Sequence, residues 1–145
     1  MWRAKKFEEL TVQEFYWLER LRLQTFVVEQ DRLYNDLDDH DLMAIHVFHQ
    51  SEDGRVDAYA RAFDAGDHIA FGRVVAAKAA RGQGLGRILT EKLMDVCAKE
   101  WPGQTIVIHA QEQVVGFYER FGFKAISEPY ILESTPHVTM EFVYK

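Results

Sequence analysis

Prolines number three, cysteines one, and no apolar run in this 145-residue chain is long enough to cross a bilayer. A lone Cys97 cannot close an internal disulfide, and a membrane helix needs roughly 18 or more consecutive apolar residues. The opening "MWRAKKFEEL" lacks the apolar core of a secretory signal. The expected compartment is therefore a reducing cytoplasm, with no membrane partner. Positive charge is also scarce: 17 Lys and Arg stand against 23 Asp and Glu, a formal net charge of -6. Sequence-independent binding to nucleic acid relies on Lys/Arg clusters meeting phosphates, so no nucleic-acid partner is expected. Nine glycines and three prolines are too few for a collagen-like or disordered chain.

What is present is apolar and aromatic side chain, 48% and 13% of the residues. That content and length fit one globular domain spanning 1–145. The first residues, "WRAKKFEEL", alternate as an edge strand would. Thr11 followed by Glu14 is a capping box, in which each side chain satisfies the other's backbone N–H. Phe15, Leu18, Leu21, Leu23, Phe26 and Val27 then recur mostly at three and four, which predicts a helix over 11–30. From Asp31 the acidic "DRLYNDLDDHD" has no period and reads as a surface loop. "LMAIHVFHQ" and "RVDAYARAF", joined through Asp53 and Gly54, read as a β-hairpin. After "HIAFGRVVAA" the positions Leu85, Ile88, Leu89, Leu93, Val96 and Cys97 describe one face of a second helix, ended by "WPG". "TIVIHA" is a strand and "EQVVGFYERFG" a short helix closed near Gly122, with "FKAIS" and "HVTMEFVYK" as final strands. The expected order is β-α-β-β-β-α-β-α-β-β.

At the junction of the third hairpin-region strand with the second helix stands "RGQGLG", residues 81–86. A helix N-terminus presents unpaired N–H groups and the positive end of a dipole, which together favour phosphate. Glycines there remove the Cβ atoms that would hold a phosphate away, and Arg81 and Arg87 add charge. No Gly-Lys pair occurs, which excludes a Walker loop, and Gly82, Gly84, Gly86 with Leu89 do not make the dinucleotide fingerprint. A tight turn whose glycines merely avoid strain stays open as the alternative.

Arg81-x-x-Gly84-x-Gly86, preceded by "GRVVAA" and followed by "GFYERFGF", resembles the acetyl-CoA site of the GNAT superfamily of N-acetyltransferases. "LRLQTFVVEQ", "YNDLDDHD", "RVVAAKAARGQGLG", "IHAQEQVVGFYERFGF" and "TPHVTM" together resemble its ElaA-like branch over nearly the whole chain. The resemblance implies an α/β (α+β) fold with a mixed, mostly antiparallel sheet that splays at a bulge and is flanked by helices. It implies acetyl-CoA as co-substrate and no metal. Val74, Val75 and Ala76 would meet the pantetheine arm through main chain, though the same residues also read as core positions of a central strand. Gly82, Gln83, Gly84, Leu85, Gly86 and Arg87, with Arg81, would hold the pyrophosphate. Gln111 stands where many relatives carry Asn on the cofactor chain. Tyr118 would protonate the leaving thiolate, although taken alone a tyrosine in this setting reads as core. An amide of Val75 or Ala76 would stabilise the oxyanion.

No general base is fixed by these motifs; Glu29 and His137 are the candidates, and a water relay would make both unnecessary. Asp36, Asp38, Asp39, His40 and Asp41 lack the pattern of a calcium loop or zinc site. The acidic loop and Glu29 are instead expected to draw a cationic acceptor in by long-range attraction. Arg20, Arg22 and Arg61 are candidates for an anionic acceptor group, and Cys97 is expected to pack. The expected activity is acetyl transfer to a primary amine of a small molecule, by a monomer or homodimer. The alternatives are a protein or peptide acceptor and a non-catalytic acyl-CoA sensor.

Overall fold

From Ala58 onward every second residue of "VDAYARAF" is alanine, and in a pleated strand every second residue shares a face. In the computed structural model, which describes residues 1–145, this segment is β3 (Val56–Asp64). Ala58, Ala60 and Ala62 are fully buried on one face, where their small side chains let a helix sit close. That helix is α2 (Leu85–Glu100), which presents Leu89, Leu93 and Cys97 to them. The opposite face of β3 carries Tyr59, which packs with Leu18, Leu21 and Phe26 from the first helical segment. One sheet with a helix layer on each side follows from that alternation.

The remaining elements are β1 (Trp2–Lys6), α1 (Val12–Arg22), β2 (Ile45–Gln50), β4 (Ile69–Ala76), β5 (Ile106–Gln111), α3 (Val115–Glu119), β6 (Lys124–Ala125), β7 (Tyr130–Leu132) and β8 (Thr135–Phe142). The sheet runs β1-β2-β3-β4-β5-β8-β6, with β7 also paired to β8. Only β4 and β5 run parallel; the other pairings are antiparallel. The capping box forms as expected, Glu14 N–H donating to Thr11 Oγ1 at 3.0 Å and Thr11 N–H to Glu14 Oε1 at 2.9 Å. β1 is an edge strand, and the β2–β3 turn uses Gly54 at φ +88°.

Three expectations change. The first helix is α-helical only to Arg22; Leu23–Glu29 form a π-helix, with Gln30 N–H donating to Thr25 O and Arg32 N–H to Val27 O. Apolar residues at three and four suit either helix, so the pattern could not separate them. The C-terminal region holds three strands rather than two, because Leu132 and Thr135 pair across a two-residue turn to make the β7–β8 hairpin. The acidic stretch is no surface loop: Asp36 and Asp41 are 2% and 1% exposed. They face Arg22, itself fully buried, whose Nη1 and Nη2 donate to the two oxygens of Asp41 at 2.8 and 3.1 Å. Its Nη2 also donates to Asp36 O at 2.8 Å, and Nε lies 2.8 Å from Asp36 Oδ2. A buried charge must be paired, and these pairs explain why so acidic a segment sits inside.

Asp41 and Glu19 respond oppositely to this setting. Burial raises both, but the hydrogen bonds and charges of Arg22 and Arg61 outweigh it at Asp41 and hold it near 2. At Glu19 burial prevails over Arg22, and Asp36 adds to it, so the carboxyl is pushed up to about 8. Stability from Asp41 is present above its ordinary 3.8 and lost as pH falls toward 2. Glu19 binds a proton in the folded but not the unfolded chain between 4.5 and about 8, so stability declines as pH rises through that window. Urea unfolding at about pH 5 and about pH 8 is expected to show the decline, and Glu19→Gln to flatten it by about 1–2 kcal/mol. An unchanged slope in the variant would remove Glu19 as its cause.

Candidate active site

A glycine inside a strand often marks a bulge, and Gly72 does so here. Tyr59 pairs with Val75 while Arg61 pairs with Gly72, so β4 carries one residue more than β3 across the same interval. The extra residue is accommodated at Arg73–Val74, where Arg73 takes a left-handed backbone, φ +52°. The faces exchange as a consequence. Phe71 joins the α2 side of the core before the bulge, and Val75 joins the α1 side after it. β4 also leaves β5, with Ile69–Ile106 their only pairing.

The gap opens beside Val74, Val75 and Ala76. Ala77 N–H donates to Asp57 O at 2.8 Å. By strand alternation, the polar groups of Val75 then point toward β3, and those of Ala76 point into the gap. Of the two amides considered for an oxyanion, only that of Ala76 has the right direction. Beyond the gap Gly84 is the N-cap of α2, at φ +74°, and no side chain caps that end. Gly82 is left-handed as well, and a Cβ built at 82, 84 or 86 meets nothing within 4 Å. The first-turn amides of α2 thus stand without a side-chain cap at the positive end of a sixteen-residue helix. A diphosphate and an extended amide-bearing arm fit this combination of helix end and unpaired strand.

A cavity of about 580 Å³ joins these parts. Its lining includes Val74, Val75, Ala76, Arg81, Gly86, Gln111, Tyr118 and His137. Gly82, Gln83, Gly84, Leu85 and Arg87 lie next to it, in the loop and first turn of α2, and Arg87 Nη1 donates to Glu91 at 2.6 Å. Gln111 and His137 are cross-strand neighbours on β5 and β8. Gln111 Oε1 accepts from Gln113 Nε2 at 2.6 Å. Arg81 spans the site: Nε donates to Ala76 O at 3.1 Å, and the guanidinium forks onto Glu29 at 2.6 and 2.9 Å. Hydrogen bonds from Arg81, and then its charge, hold the Glu29 carboxyl below its usual range. That makes Glu29 a weak proton acceptor, well suited to tethering the π-helix to the glycine loop.

Tyr118 is 6% exposed, with its ring centroid 5.1 Å from Phe117, 5.9 Å from Phe123 and 6.0 Å from Phe71. Burial pushes its phenol up to about 12, so it keeps its proton. His137 is equally buried, and its Nδ1 lies 2.7 Å from Thr135 O. A carbonyl only accepts, so Nδ1 carries the hydrogen and the lone pair of the neutral ring sits on Nε2. Cys97 packs from α2 into the core, with its thiol pushed up to about 12 by burial.

Of the acidic residues expected to draw in a cationic acceptor, all but the exposed Asp39 are matched by arginine. Asp38 accepts from Arg61 at 2.6 and 2.9 Å, Asp36 and Asp41 are buried on arginines, and Glu29 is paired with Arg81. Arg22 is enclosed, Arg61 is neutralised, and Arg20 donates to Tyr16 at 3.0 Å out on α1, so none of the three is a free anion site. Residues that sequence reasoning missed are Arg32, Tyr34, Arg73 and His109, all in the cavity lining. For Arg73 a signal existed in the preceding Gly72. For His109, whose Nδ1 lies 2.6 Å from Tyr130 Oη, it did not, because Tyr130 lies on a strand that the pattern failed to show.

A domain built on this splayed sheet and glycine-headed helix belongs to the acyl-CoA N-acyltransferases. The chain is a member of the GNAT acetyltransferase family, whose domain model matches residues 8–144. It is 35% identical over 144 residues to protein ElaA of Escherichia coli K12, covering 96% of this chain and 94% of ElaA. The crystal structure of Escherichia coli ElaA superposes with a TM-score of 0.93 over 98% of this chain and 99% of that one, at 33% identity. An acyl-CoA N-acyltransferase from Pseudomonas aeruginosa superposes at 0.94, with 33% identity and 99% of both chains covered. An aminoglycoside 6'-N-acetyltransferase complexed with coenzyme A shares the fold at 0.71 and 15% identity, over 97% of this chain and 96% of its own. No helix is long and apolar enough to cross a membrane.

Nitrogen NMR of the His137 ring at alkaline pH is expected to report the Nδ1–H tautomer, set by the Thr135 carbonyl. Protonation at Nε2 instead would contradict the geometry.

Proposed function

We propose that residues 1–145 form one acetyltransferase domain, acting in the cytoplasm, that moves the acetyl group of acetyl-CoA directly to a primary amine of a small molecule. The observation that carries the reading is the gap between β4 and β5, which leads from the uncapped N-terminus of α2 to Tyr118 within one cavity. When bound, acetyl-CoA supplies the thioester whose C–S bond breaks as the C–N bond to the amine forms.

The chain's own groups have distinct tasks in this reading. Amides of Gly82, Gln83, Gly84, Leu85, Gly86 and Arg87, with Arg81, receive the diphosphate, which displaces Glu29 as the partner of Arg81. Val74 and Ala76 offer main-chain groups to the pantetheine arm, Val75 lines it, and Gln111 adds an amide from β5. Ala76 N–H stabilises the negative charge that develops on the carbonyl oxygen. His137 takes a proton from the amine at Nε2, and Glu29 tethers rather than acts as base.

Tyr118 gives its proton to the departing sulfur. Against a solvated thiolate of pKa about 8.5, a phenol near 12 would be uphill by about 5 kcal/mol. The sulfur is desolvated as well, however, and burial alone lifts the Cys97 thiol of this same protein to about 12. Desolvation of the leaving sulfur narrows that difference, and proton transfer grows more efficient as the two groups approach balance.

A small acceptor is favoured over a peptide because the far wall is spanned. Arg32 Nε donates to Glu133 O at 3.0 Å and ties the loop after the π-helix to the β7–β8 turn. An open peptide channel would lack that strut. The sensor alternative predicts binding without turnover.

Release of thiol from acetyl-CoA with a panel of primary amines tests the reading. Tyr118→Phe is expected to lower kcat by about 100-fold or more, with the calorimetric Kd for coenzyme A within about twofold of wild type. Gly84→Val, which forces a β-branched residue into a left-handed N-cap, is expected to weaken coenzyme A by about tenfold or more. Tight coenzyme A binding with no amine-dependent thiol would favour the sensor, and undiminished turnover in Tyr118→Phe would remove its role as acid.

A further inference from the structure

Four arginines line the cavity, and three of them are matched by carboxylates. Arg61 lies 2.6 Å from Asp38 and 2.9 Å from Asp41. Arg73 lies 3.1 Å from Asp36 and 3.4 Å from Asp38, and Arg81 lies on Glu29. The fourth, Arg32, has only neutral partners. Its Nε donates to the main-chain oxygen of Glu133 at 3.0 Å and its Nη1 to Gln30 Oε1 at 3.3 Å. Its guanidinium carbon lies 4.8 Å from the centre of the Tyr34 ring.

A guanidinium has five N–H donors in a rigid fork. Two are used here, which leaves both hydrogens of Nη2 and one of Nη1, the pair of nitrogens that grips an oxyanion bidentately. The side chain is half-buried and held by its sequence neighbours Gln30 and Tyr34 and by the distant Glu133, so it is already oriented. Its platform is fixed too, since Tyr34 donates to Asp36 Oδ1 at 2.6 Å. An ordinary solvated arginine is not held in this way.

Backbone strain gathers at the same wall. The chain has four non-glycine residues with left-handed φ: Asp31, Arg73, Glu133 and Ser134. Asp31 precedes Arg32, Glu133 and Ser134 form the turn that accepts its hydrogen bond, and Arg73 lies against the same Tyr34 ring at 5.3 Å. Glu133 and Ser134 owe their φ to the two-residue hairpin turn, whereas at Asp31 and Arg73 strain of this kind persists because surrounding contacts over-determine it.

We infer that Arg32 is the anion-binding, specificity-determining residue of the acceptor site, so that the preferred acceptors are amines bearing a carboxylate or a phosphate group. This rests on the acetyl-transfer reading above and narrows it to a substrate class.

The test uses matched acceptors: amino carboxylates against their carboxamides, and amino alkyl phosphates against the corresponding alcohols. Wild type is expected to prefer the anionic member by about tenfold or more in kcat/KM, mostly through KM. Whichever arm carries that preference identifies carboxylate or phosphate. Arg32→Gln is expected to collapse the ratio toward one, and Arg32→Lys to restore part of it, since charge returns without the fork. No preference in wild type, or an Arg32→Gln loss shared equally by charged and neutral acceptors, overturns the inference. Calorimetry keeps the two readings apart: the amine-free carboxylates and phosphates are titrated into protein saturated with coenzyme A. Binding that Arg32→Gln abolishes supports the anion site even if no amine is acetylated, whereas no binding in either protein, with or without turnover, sinks it.

Discussion

One extra residue in β4 sets the shape of everything that could be done here. Opposite Arg61 and Tyr59 the strand holds Arg73 and Val74 where an unbroken ladder would hold one residue. Because side chains alternate, the insertion moves Val75 to the α1 side of the sheet and turns Ala76 toward the place β5 has vacated. A continuous parallel ladder would have satisfied that backbone and filled the gap. Without it, a row of amide and carbonyl groups stands at the edge of a cavity, in line with the head of α2. In the proposed reaction that edge pairs with the donor as an added strand would, so the site costs the sheet its central pairing.

The bulge is held by charge. Arg73, the strained residue, is drawn onto Asp36 and Asp38, which share Arg22 and Arg61 with Asp41. His46 closes the network, its Nε2 within 2.9 Å of Asp41 O and its Nδ1 within 2.6 Å of Tyr59 Oη. Burial lowers the pKa of His46, so the ring is neutral, donating to the carbonyl and accepting from the phenol. Three arginines against three aspartates leave little net charge, and replacing any one leaves its two partners with a single opposite charge each and the cluster out of balance. The same network therefore fixes the splayed strand and neutralises Asp36, Asp38 and Asp41 beside the cavity.

What remains at that wall is unlike what composition suggests. A protein of net charge -6 presents a guanidinium whose protein partners are all neutral. Overall acidity says little about a site a few ångströms across, because neighbouring pairs cancel within the site and solvent screens the rest. On the donor side the pairing of Glu29 with Arg81 ties the glycine loop to the π-helix, so the two halves of the cavity are in mechanical contact.

Features whose partners lie within a few residues could be read directly. The Thr11–Glu14 box, the Asp53–Gly54 turn and the glycines heading α2 are of this kind, and Arg81-x-x-Gly84-x-Gly86 with "GFYERFGF" led to the family. Local chemistry decides them, and the chain needs no knowledge of its distant parts. Partnerships between charges carry no such local mark. Arg22 and Asp41 are 19 residues apart, Arg81 and Glu29 are 52, and Arg32 and Glu133 are 101. A buried aspartate, a tethering glutamate and a solvated one are the same letter. By itself the sequence determined the elements and the helix end that suits a diphosphate. Only the tertiary structure decided which charges neutralise one another and which has no carboxylate partner, because electrostatic energy depends on distance in space and on exclusion of water, and neither is written in the order of residues.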